Sequence, residues 1–471
     1  MTATLRPPRL ATLAACLLAA TLLGGCAVGP AYRLPATPQP AAFKEAGPWQ
    51  LAVPADTLER GPWWTLFNDA QLNALVARVR IDNQNVAVAV ANYAAARASI
   101  AQQRAQLLPT VTLNTGADRS GGAANNGTGK NYRLSIGGSW EPDVWGRLRA
   151  GVNGAEASAQ ASAADLAAAT LSAQGELAID YFSLREIDAE RELVRQTISG
   201  YERVLQITQN RFDAGIAART DVLQAQTQLA QTRSDDLTLE RQRAQLEHAI
   251  AILLGRAPAG FTLPTAPWLA NVPEVPAGVP SSLLQRRPDI AAAERRVAAA
   301  NANIGVAQAA YYPNIGLSGS YGTAGPSVSD LFNVSTAVWS LGLSAAQTLF
   351  NGGATSAAVA AATAQRDAAA ARYRQTVLTA FGDVEDQLAA TRILAAQLVL
   401  RRQASDAANQ VETQILNRYT AGQISYTEVV QAQATALSAR RALAQSQADR
   451  QTTAVALIAS LGGGWNVVNQ K

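Results

Sequence analysis

The sequence predicts a mainly helical protein with a small β part, built from two copies of one pattern. Three observations predict this fold class: long proline-free segments whose apolar residues recur every seven positions, short segments in which apolar and polar residues alternate, and landmarks that return after about 205 residues. The chain of 471 residues has room for two or three domains.

The internal repeat is carried by landmarks that return in one order along the chain. A proline near the front of each copy, the arginine and glycine of an Arg-x-x-x-Gly turn, and an acidic residue after that turn are all found twice. The pairs are Pro109 with Pro313, Arg211 with Arg418, Gly215 with Gly422 and Asp221 with Glu428. Each copy therefore predicts a helix, a strand hairpin, a long helix, a tight turn and a further helix.

These landmarks divide the chain into six segments. They are a signal peptide at 1–25, a lipid anchor and N-terminal segment at 26–68, a first repeat at 69–254, a proline-rich linker at 255–284, a second repeat at 285–462 and a C-terminal tail at 463–471. In the first repeat the pattern predicts a strand hairpin at 109–142, a long helix at 144–212 and a helix at 217–254. In the second repeat the corresponding segments are 313–349, 354–417 and 425–462.

The N-terminus has the features of a secretory signal with a lipid attachment site. Arg6 and Arg9 precede an apolar stretch at 10–23, which is short for a bilayer-spanning helix. The stretch leads into Leu-Gly-Gly-Cys, which resembles the bacterial lipobox, so we predict that Cys26 carries a covalent lipid that anchors the mature chain. An ordinary signal peptide with a chance cysteine is the alternative. We expect no other cofactor.

The composition argues against an enzyme and against a nucleic-acid-binding protein. Charged residues make up only 16% of the chain and the net charge is +4, so a strong basic footprint is missing. A histidine metal site or a nucleophile–base pair would have to be built on His248, the single histidine. Because His248 falls between apolar seam positions, we predict that it lies on the surface. We therefore expect neither catalysis nor a bound metal.

Four short segments predict strands of membrane-spanning length. In one of them Trp339, Leu341 and Leu343 alternate with Ser and Gly. Four strands do not close a barrel, and lipid does not tolerate open sheet edges. Strands in a membrane would therefore require several copies of the chain. Two soluble hairpins on a coiled-coil stalk are the alternative, which the helices alone do not exclude.

Several motifs in one order carry a family resemblance. They are Leu-Gly-Gly-Cys-Ala-Val-Gly-Pro at 23–30, Trp63 and Trp64 with Phe67, Asp69, Leu72 and Leu75, Trp-Glu-Pro-Asp-Val-Trp-Gly-Arg at 140–147, Arg-Arg-Pro-Asp-Ile at 286–290 and Leu-Gly-Gly-Gly-Trp at 461–465. On these residues the chain resembles the TolC/OprM-type outer-membrane efflux lipoproteins, often labelled the NodT family, over essentially its whole mature length.

This resemblance implies a homotrimer with a twelve-stranded transmembrane β-barrel continuous with a twelve-helix periplasmic α-barrel. The N-terminal segment, the linker and the tail would form an equatorial belt. The protein would be lipid-anchored in the bacterial outer membrane and extend into the periplasm. Its partners would be a periplasmic adaptor (membrane fusion protein) and an inner-membrane pump of the resistance–nodulation–division type. The chain would be a passive duct for drugs or other small toxic compounds, with energy from the pump.

In that family the tips of the helix hairpins contact the adaptor. The matching residues here are Arg211, Gly215, Asp221, Arg418, Gly422 and Glu428. A physical interpretation stands beside this one. The two glycines permit the positive φ that ends a helix, Ser425 and Glu428 have the spacing of a capping box, and Asp221 suits a first helical turn.

The resemblance also points to a gate at the periplasmic end. Many relatives carry an aspartate one turn inside the second tip, but this chain has Gln431 there and Gln224 in the first copy. An acidic ring is therefore not expected at these positions. The gate candidates are Gln224, Gln431, Tyr419 and Thr427, acting through hydrogen bonds or apolar contacts.

Three other functions remain as alternatives. Exit ducts for type I protein secretion and for metal ions share the architecture. The lipobox and the Gly-Gly-Gly-Trp ending favour the resistance–nodulation–division branch, and the sequence lacks the clusters of Met, His or Cys that a metal route would use. A lipoprotein coiled-coil spacer without a pore is the third alternative.

Overall fold

In the computed structural model of the chain, the described residues are 28–37, 40, 42–45, 62–122, 125–273, 275 and 287–463. The predictions for the signal peptide, for Cys26 and for the tail beyond residue 463 lie outside these residues.

Within the described residues, helices and strands follow one another in the predicted order. The helices are α1 (Ala70–Asp82), α2 (Gln84–Ala105), α3 (Arg147–Asp213), α4 (Arg219–Leu253), α5 (Pro288–Ala309), α6 (Ala354–Thr420) and α7 (Tyr426–Ser460). The strands are β1 (Thr110–Gly122), β2 (Asn125–Trp140), β3 (Asn314–Gly325) and β4 (Ala337–Ala346). Short 3-10 turns occur at Trp63–Phe67, Pro258–Gly260, Val328–Phe332 and Val334–Thr336.

The two repeats have helices of matching length. α2 and α5 each contain 22 residues, α3 and α6 each contain 67, and α4 and α7 each contain 35. The sequence predicts the long helices at 144–212 and 354–417, and the structure places each end within a few residues of those positions. The repeat in the sequence is therefore also a repeat of helices in the structure.

Polar side chains fix the starts of the first two helices. Asp69 is the N-cap of α1, and its carboxylate accepts hydrogen bonds from the amides of Gln71 (2.9 Å) and Leu72 (3.0 Å). Asn83 accepts from the first amides of α2 and donates to the carbonyl of Leu253 at 2.8 Å. These bonds satisfy amides that the start of a helix leaves unpaired.

The four strands form one antiparallel sheet in the order β1-β2-β3-β4, in which β2 and β3 join the two predicted hairpins. The register puts Tyr321 opposite Trp339 on one face and Ser320 opposite Ser340 on the other, with the two hydroxyl oxygens 2.9 Å apart. The predicted alternation is thus confirmed. One face exposes large apolar side chains: Val111, Leu113, Ile136, Trp140, Leu317, Tyr321, Trp339, Leu341 and Leu343.

The chain packs into two compact units, each of which takes segments from both repeats. Unit 1 consists of Met1–Ala36, Asn92–Ala163 and Ala292–Arg374, and unit 2 of Thr37–Ala91, Ala164–Ala291 and Gln375–Lys471. The sheet belongs to unit 1, and the turns of the long helix hairpins belong to unit 2. Among the described residues, no helix is both long and apolar enough to cross a bilayer.

In unit 1 the N-terminal segment lies against α5. The backbones of Gly29 and Gly305 touch, because a Cβ on Gly29 would lie 2.7 Å from the Cα of Gly305. The side-chain amide of Asn301 donates to the carbonyl of Pro30 at 2.9 Å. The chain is therefore fixed to unit 1 a few residues beyond the predicted lipid site.

Unit 2 has an apolar core formed by α1, α3, α4, α7 and the first 3-10 turn. Its buried residues include Trp63, Phe67, Leu72, Val76, Val79, Leu177, Phe182, Leu184, Ile250, Leu254, Val455 and Ile458. The buried guanidinium of Arg185 lies beside this core, with its central carbon 4.9 Å from the centre of the Tyr181 ring. It donates to Asp188 and to the carbonyl of Pro264, both at 2.9 Å, and to Gln71 at 2.7 Å. A buried charge needs such partners, so Arg185 ties the proline-rich linker to the helices.

We expect Gly29→Val to detach the N-terminal segment from α5, because the new side chain would overlap the backbone of Gly305. Trypsin should then cleave after the exposed Arg33 faster than in the wild-type protein. Gly200→Ala is the control: nothing lies within 4 Å of that position on α3, so the same cleavage rate is expected. Equal rates in all three proteins would contradict the assigned contact.

Candidate functional site

The candidate site consists of the two helix-hairpin turns and the junctions between the hairpins. The first hairpin is α3–α4 and the second is α6–α7; we call residues 211–223 the first tip and 418–430 the second tip. The two helices of each hairpin run antiparallel. In the first hairpin, ion pairs such as Arg191–Asp236 at 2.9 Å join them. All of these residues lie in unit 2.

Both tips turn through the same backbone arrangement. Gly215 and Gly422 have φ values of 73° and 75°, which confirms the predicted left-handed helix end. The amide after Gly215 donates to the carbonyl of Arg211 at 2.8 Å, and the amide after Gly422 donates to that of Arg418 at 2.9 Å. Together with the glycine amides these bonds form Schellman motifs, so the two turns share one conformation.

The acidic residues after the turns differ from the predicted caps. Asp221 lies in the first turn of α4 and Glu428 in the first turn of α7, where negative charge is favourable. The predicted capping box of Ser425 and Glu428 is wrong: Ser425 is the N-cap, but its side chain makes no capping hydrogen bond. Both side chains are exposed, so water satisfies the groups that the box would have paired.

Arg211 of the first tip binds the end of the second long helix. Its Nη1 donates to the carbonyl of Tyr419 at 2.6 Å, and its guanidinium carbon lies 4.7 Å from the centre of the Tyr419 ring. A cation at the C-terminus of a helix is stabilised by the carbonyls that the helix leaves unpaired. Arg211 therefore caps α6 rather than its own helix.

Tyr419 is the centre of this contact. Its hydroxyl and that of Thr208 are 3.1 Å apart, and its ring packs at 5.6 Å between centroids against Tyr426. Tyr419, Tyr426 and Thr208 are all buried. We call the group of Thr208, Arg211, Tyr419 and Tyr426 the tip latch, since it joins α3 to both helices of the second hairpin.

The other predicted site residues lie outside the latch. Arg418 is exposed, although it is the repeat partner of Arg211. The gate candidates Gln224, Thr427 and Gln431 are exposed as well, so of the four candidates Tyr419 is the one that the structure places in a packed contact. His248 is exposed, as predicted.

A second junction joins the hairpins further from the tips. Glu186 and Glu190 are buried one helical turn apart on α3, and Arg441 of α7 binds Glu190 and also Asp235 of α4. Glu186 Oε1 has no hydrogen-bond partner among the described residues. Burial, followed by the charges of Glu190 and Asp449, raises the pKa of Glu186 from 4.5 to about 7. Burial at this junction therefore favours the protonated form of Glu186.

Sequence reasoning missed both junctions. Thr208 interrupts the seven-residue apolar pattern of α3 and belongs to no site motif. A signal for the latch was nevertheless available, because the second copy has Tyr419 and Tyr426 where the first has Phe212 and Arg219. Nothing comparable marks Glu186. In the described part of the chain, no three His, Cys, Asp or Glu side chains are grouped so as to hold a metal ion.

The chain belongs to the outer membrane efflux protein family, whose family model matches residues 75–256 and 279–463. The resemblance predicted from the sequence motifs is confirmed. Membership implies an outer-membrane location and a role in export rather than in catalysis.

Individual relatives agree over nearly the whole chain. The probable efflux pump outer membrane protein TtgC of Pseudomonas putida is 32% identical over 456 residues, covering 95% of this chain and 94% of the relative. Outer membrane protein OprJ of Pseudomonas aeruginosa is 30% identical over 459 residues, which cover 96% of this chain and 95% of the relative. The solved outer-membrane channel OprN superimposes with a TM-score of 0.84 at 32% identity, covering 93% of this chain and 100% of that one. The open-state MtrE channel of Neisseria gonorrhoeae superimposes with a TM-score of 0.83 at 28% identity, covering 93% of this chain and 98% of that one.

We expect the stability of the folded chain to fall as the pH rises from about 4.5 to about 7, because Glu186 holds its proton through this range only when folded. The stability that the bound proton contributes is fully present below about pH 4.5 and is lost above about pH 7. It amounts to about 3 kcal/mol at most. Because glutamine stays neutral, Glu186→Gln should lose less stability than the wild-type protein as the pH rises from about 4.5 to about 7. Thermal unfolding in detergent measures this difference.

Glu192→Gln is the matched control, because Glu192 is an exposed carboxylate on the same helix. Its pH profile should follow that of the wild-type protein. If Glu186→Gln followed the wild-type profile too, Glu186 would not be the titrating group.

Proposed function

We propose that the chain is the outer-membrane exit duct of a three-part efflux pump that carries drugs or other small toxic compounds. The observation that carries this proposal is a sheet with one apolar and one polar face, in a chain that belongs to the outer membrane efflux protein family. Those two faces suit a barrel wall, with lipid on one side and water on the other. The names of several relatives refer to antibiotic, toluene and solvent efflux, which supports small organic cargo.

Assembly as a homotrimer is part of this proposal. β1 and β4 each have a strand neighbour on one side within the described residues, so each chain offers two sheet edges to other copies. Three copies would supply twelve strands and would pool their helix hairpins into a periplasmic tube of twelve helices. Cys26 would carry the lipid, and the contact of Gly29 with Gly305 would hold the anchored segment against the body of the protein.

The hairpin tips would meet the periplasmic adaptor, which connects the duct to an inner-membrane pump of the resistance–nodulation–division type. The exposed positions of Arg418 and Glu428 are consistent with that role. Arg211 has a different role, because its guanidinium donates a hydrogen bond to the carbonyl of Tyr419.

The tip latch would keep the duct closed at rest. It fixes the end of α3 to the end of α6, so the second hairpin does not swing away from the first while the latch is made. Tyr419 is then the gate residue among the four candidates. An adaptor that displaced Arg211 from the Tyr419 carbonyl would release the second hairpin.

We expect Arg211→Ala to raise the conductance of the purified protein in planar lipid bilayers. Loss of a hydrogen bond to a charged group costs about 1.5–3 kcal/mol, which corresponds to an increase of about tenfold or more in the open population. Tyr419→Phe, which removes only the bond to Thr208, should have a smaller effect in the same direction.

Arg203→Ala is the control, because Arg203 is an exposed arginine on the same helix. It should conduct like the wild-type protein. An absence of conductance in the wild-type protein and in every variant would contradict the duct. The pore-free spacer would then remain. Unchanged conductance in Arg211→Ala alone would contradict only the latch.

A further inference from the structure

At the end of the sheet that lies away from the helices, two basic residues stand opposite each other on the apolar face. Arg119 of β1 is the register partner of Lys130 of β2. The even-numbered residues of β2 share one face, which begins at Trp140, includes Ile136 and ends with Lys130. Arg119 and Lys130 therefore project from the same face as the large apolar side chains.

Within the described part of the chain, no acidic residue neutralises this basic pair. Both side chains are exposed, and neither has a hydrogen-bond or ion-pair partner there. Asp118 precedes Arg119 in the chain but lies on the opposite face of the sheet, where its carboxylate binds Arg133. Like charges that face each other on neighbouring strands destabilise a sheet. A bound anion would remove that repulsion.

The loop between β3 and β4, residues 326–336, folds over the same face of the sheet. Thr323 and Gly325 belong to the apolar face of β3, as the alternation of that strand shows. The hydroxyl of Thr323 donates to the carbonyl of Leu331 at 2.8 Å, and a Cβ on Gly325 would lie 2.4 Å from the Cβ of Asp330. The β3–β4 loop is thus fixed to the apolar face and not to the polar one.

The β3–β4 loop exposes apolar side chains and keeps its charge inside. The carboxylate of Asp330 accepts hydrogen bonds from the amide and the hydroxyl of Ser327, at 2.9 and 2.6 Å. Val328, Phe332 and Val334 are 55%, 81% and 84% exposed. Several exposed apolar side chains on a loop that hydrogen bonds hold in place mark an interaction surface.

The β3–β4 loop and the basic pair are neighbours at one height of the sheet. Gly325, on which the loop packs, is the register partner of Tyr132, and Tyr132 is two residues from Lys130, or about 7 Å along the strand. From Trp140 to Lys130 β2 has eleven residues. A tilted strand needs about that many residues to cross the hydrocarbon of a bilayer. In the proposed function the helices are periplasmic, so Lys130 lies at the outer surface of the membrane.

We propose that the basic pair and the β3–β4 loop together form a binding site for an anionic lipid of the outer leaflet. Arg119 and Lys130 donate to the phosphate of the headgroup, and the acyl chains lie against Phe332 and Val334. The site rests on the proposed function, in which the apolar face of the sheet is in contact with lipid.

A second copy of the chain fits this surface less well than a lipid. A neighbouring copy would pair with the backbone of β1 or β4, the two edges of the sheet. The 3-10 turns of the β3–β4 loop pack instead on β3 and β2, the two middle strands. The apolar side chains of the loop therefore lie over the middle of the sheet, where lipid chains and not a neighbouring strand would cover them.

The test measures which lipid the purified full-length protein retains. The protein in detergent is mixed with equal amounts of phosphatidylglycerol and phosphatidylcholine with identical acyl chains, and bound lipids are counted by native mass spectrometry. We expect the wild-type protein to retain about tenfold more phosphatidylglycerol, the enrichment that two basic side chains at a lipid surface provide. The double variant Arg119→Gln with Lys130→Gln should retain the two lipids in a ratio of about one.

Two further variants separate charge from apolar contact. Arg401→Gln with Arg402→Gln is the matched control, because it removes the same charge from two adjacent exposed arginines on α6. It should keep the wild-type ratio. Phe332→Ser with Val334→Ser should lower the retention of both lipids and leave their ratio unchanged. Inorganic phosphate at the concentration of the lipids should displace neither of them, since it has no acyl chains.

A wild-type ratio near one would overturn the lipid site, and so would an equal loss of preference in the two arginine and lysine double variants. Displacement of phosphatidylglycerol by inorganic phosphate would assign the basic pair to a free anion and overturn the lipid. Conductance of the same preparations keeps the proposed function separate. A protein that conducts but shows no lipid preference overturns the lipid site alone, whereas an absence of conductance in the wild-type protein and in every variant overturns the duct.

Discussion

Backbone hydrogen bonding at the two edges of the sheet governs how this chain can fold and assemble. In the described chain β1 and β4 each have a partner strand on one side, while one sheet face exposes side chains such as Leu341 and Leu343. In hydrocarbon every unpaired amide or carbonyl costs several kcal/mol, and in water an apolar face with open edges invites association. Neither hydrocarbon nor water therefore suits the sheet of a single chain, so we infer that assembly with other chains completes the fold.

The duplicated framework gives the chain two helix hairpins with the same turn, and the side chains at the two turns differ. The second tip has Tyr419 and Tyr426 where the first has Phe212 and Arg219. Both tyrosines are buried, and Arg211 donates to the Tyr419 carbonyl at the end of α6. Further along the hairpins Arg441 meets Glu190 and Asp235. The hairpins are thus joined by polar contacts at two levels, and polar contacts between buried groups are strong when made and costly when one partner is lost.

The regular elements could be predicted from the sequence because their periods are visible in it. Alternation marks β4, and the seven-residue seam with an absence of proline marks α3. The junctions could not be predicted, because they depend on which helices meet. Arg211 and Arg418 are equivalent in the sequence, yet one is engaged by Tyr419 and the other is exposed. Glu186 is an ordinary helical carboxylate until α7 brings Arg441 and Asp449 to the same junction. The capping box failed because spacing alone does not withdraw Ser425 from water.

The number of chains in the detergent-extracted particle distinguishes an assembled barrel from a chain that folds alone. Light scattering combined with refractive index on the purified full-length protein gives the protein mass free of the detergent contribution. We expect a particle of three chains, because we propose that three copies together close the barrel. A homogeneous particle of a single 49.3 kDa chain or less, still folded and with its β segments accessible to water, would contradict it.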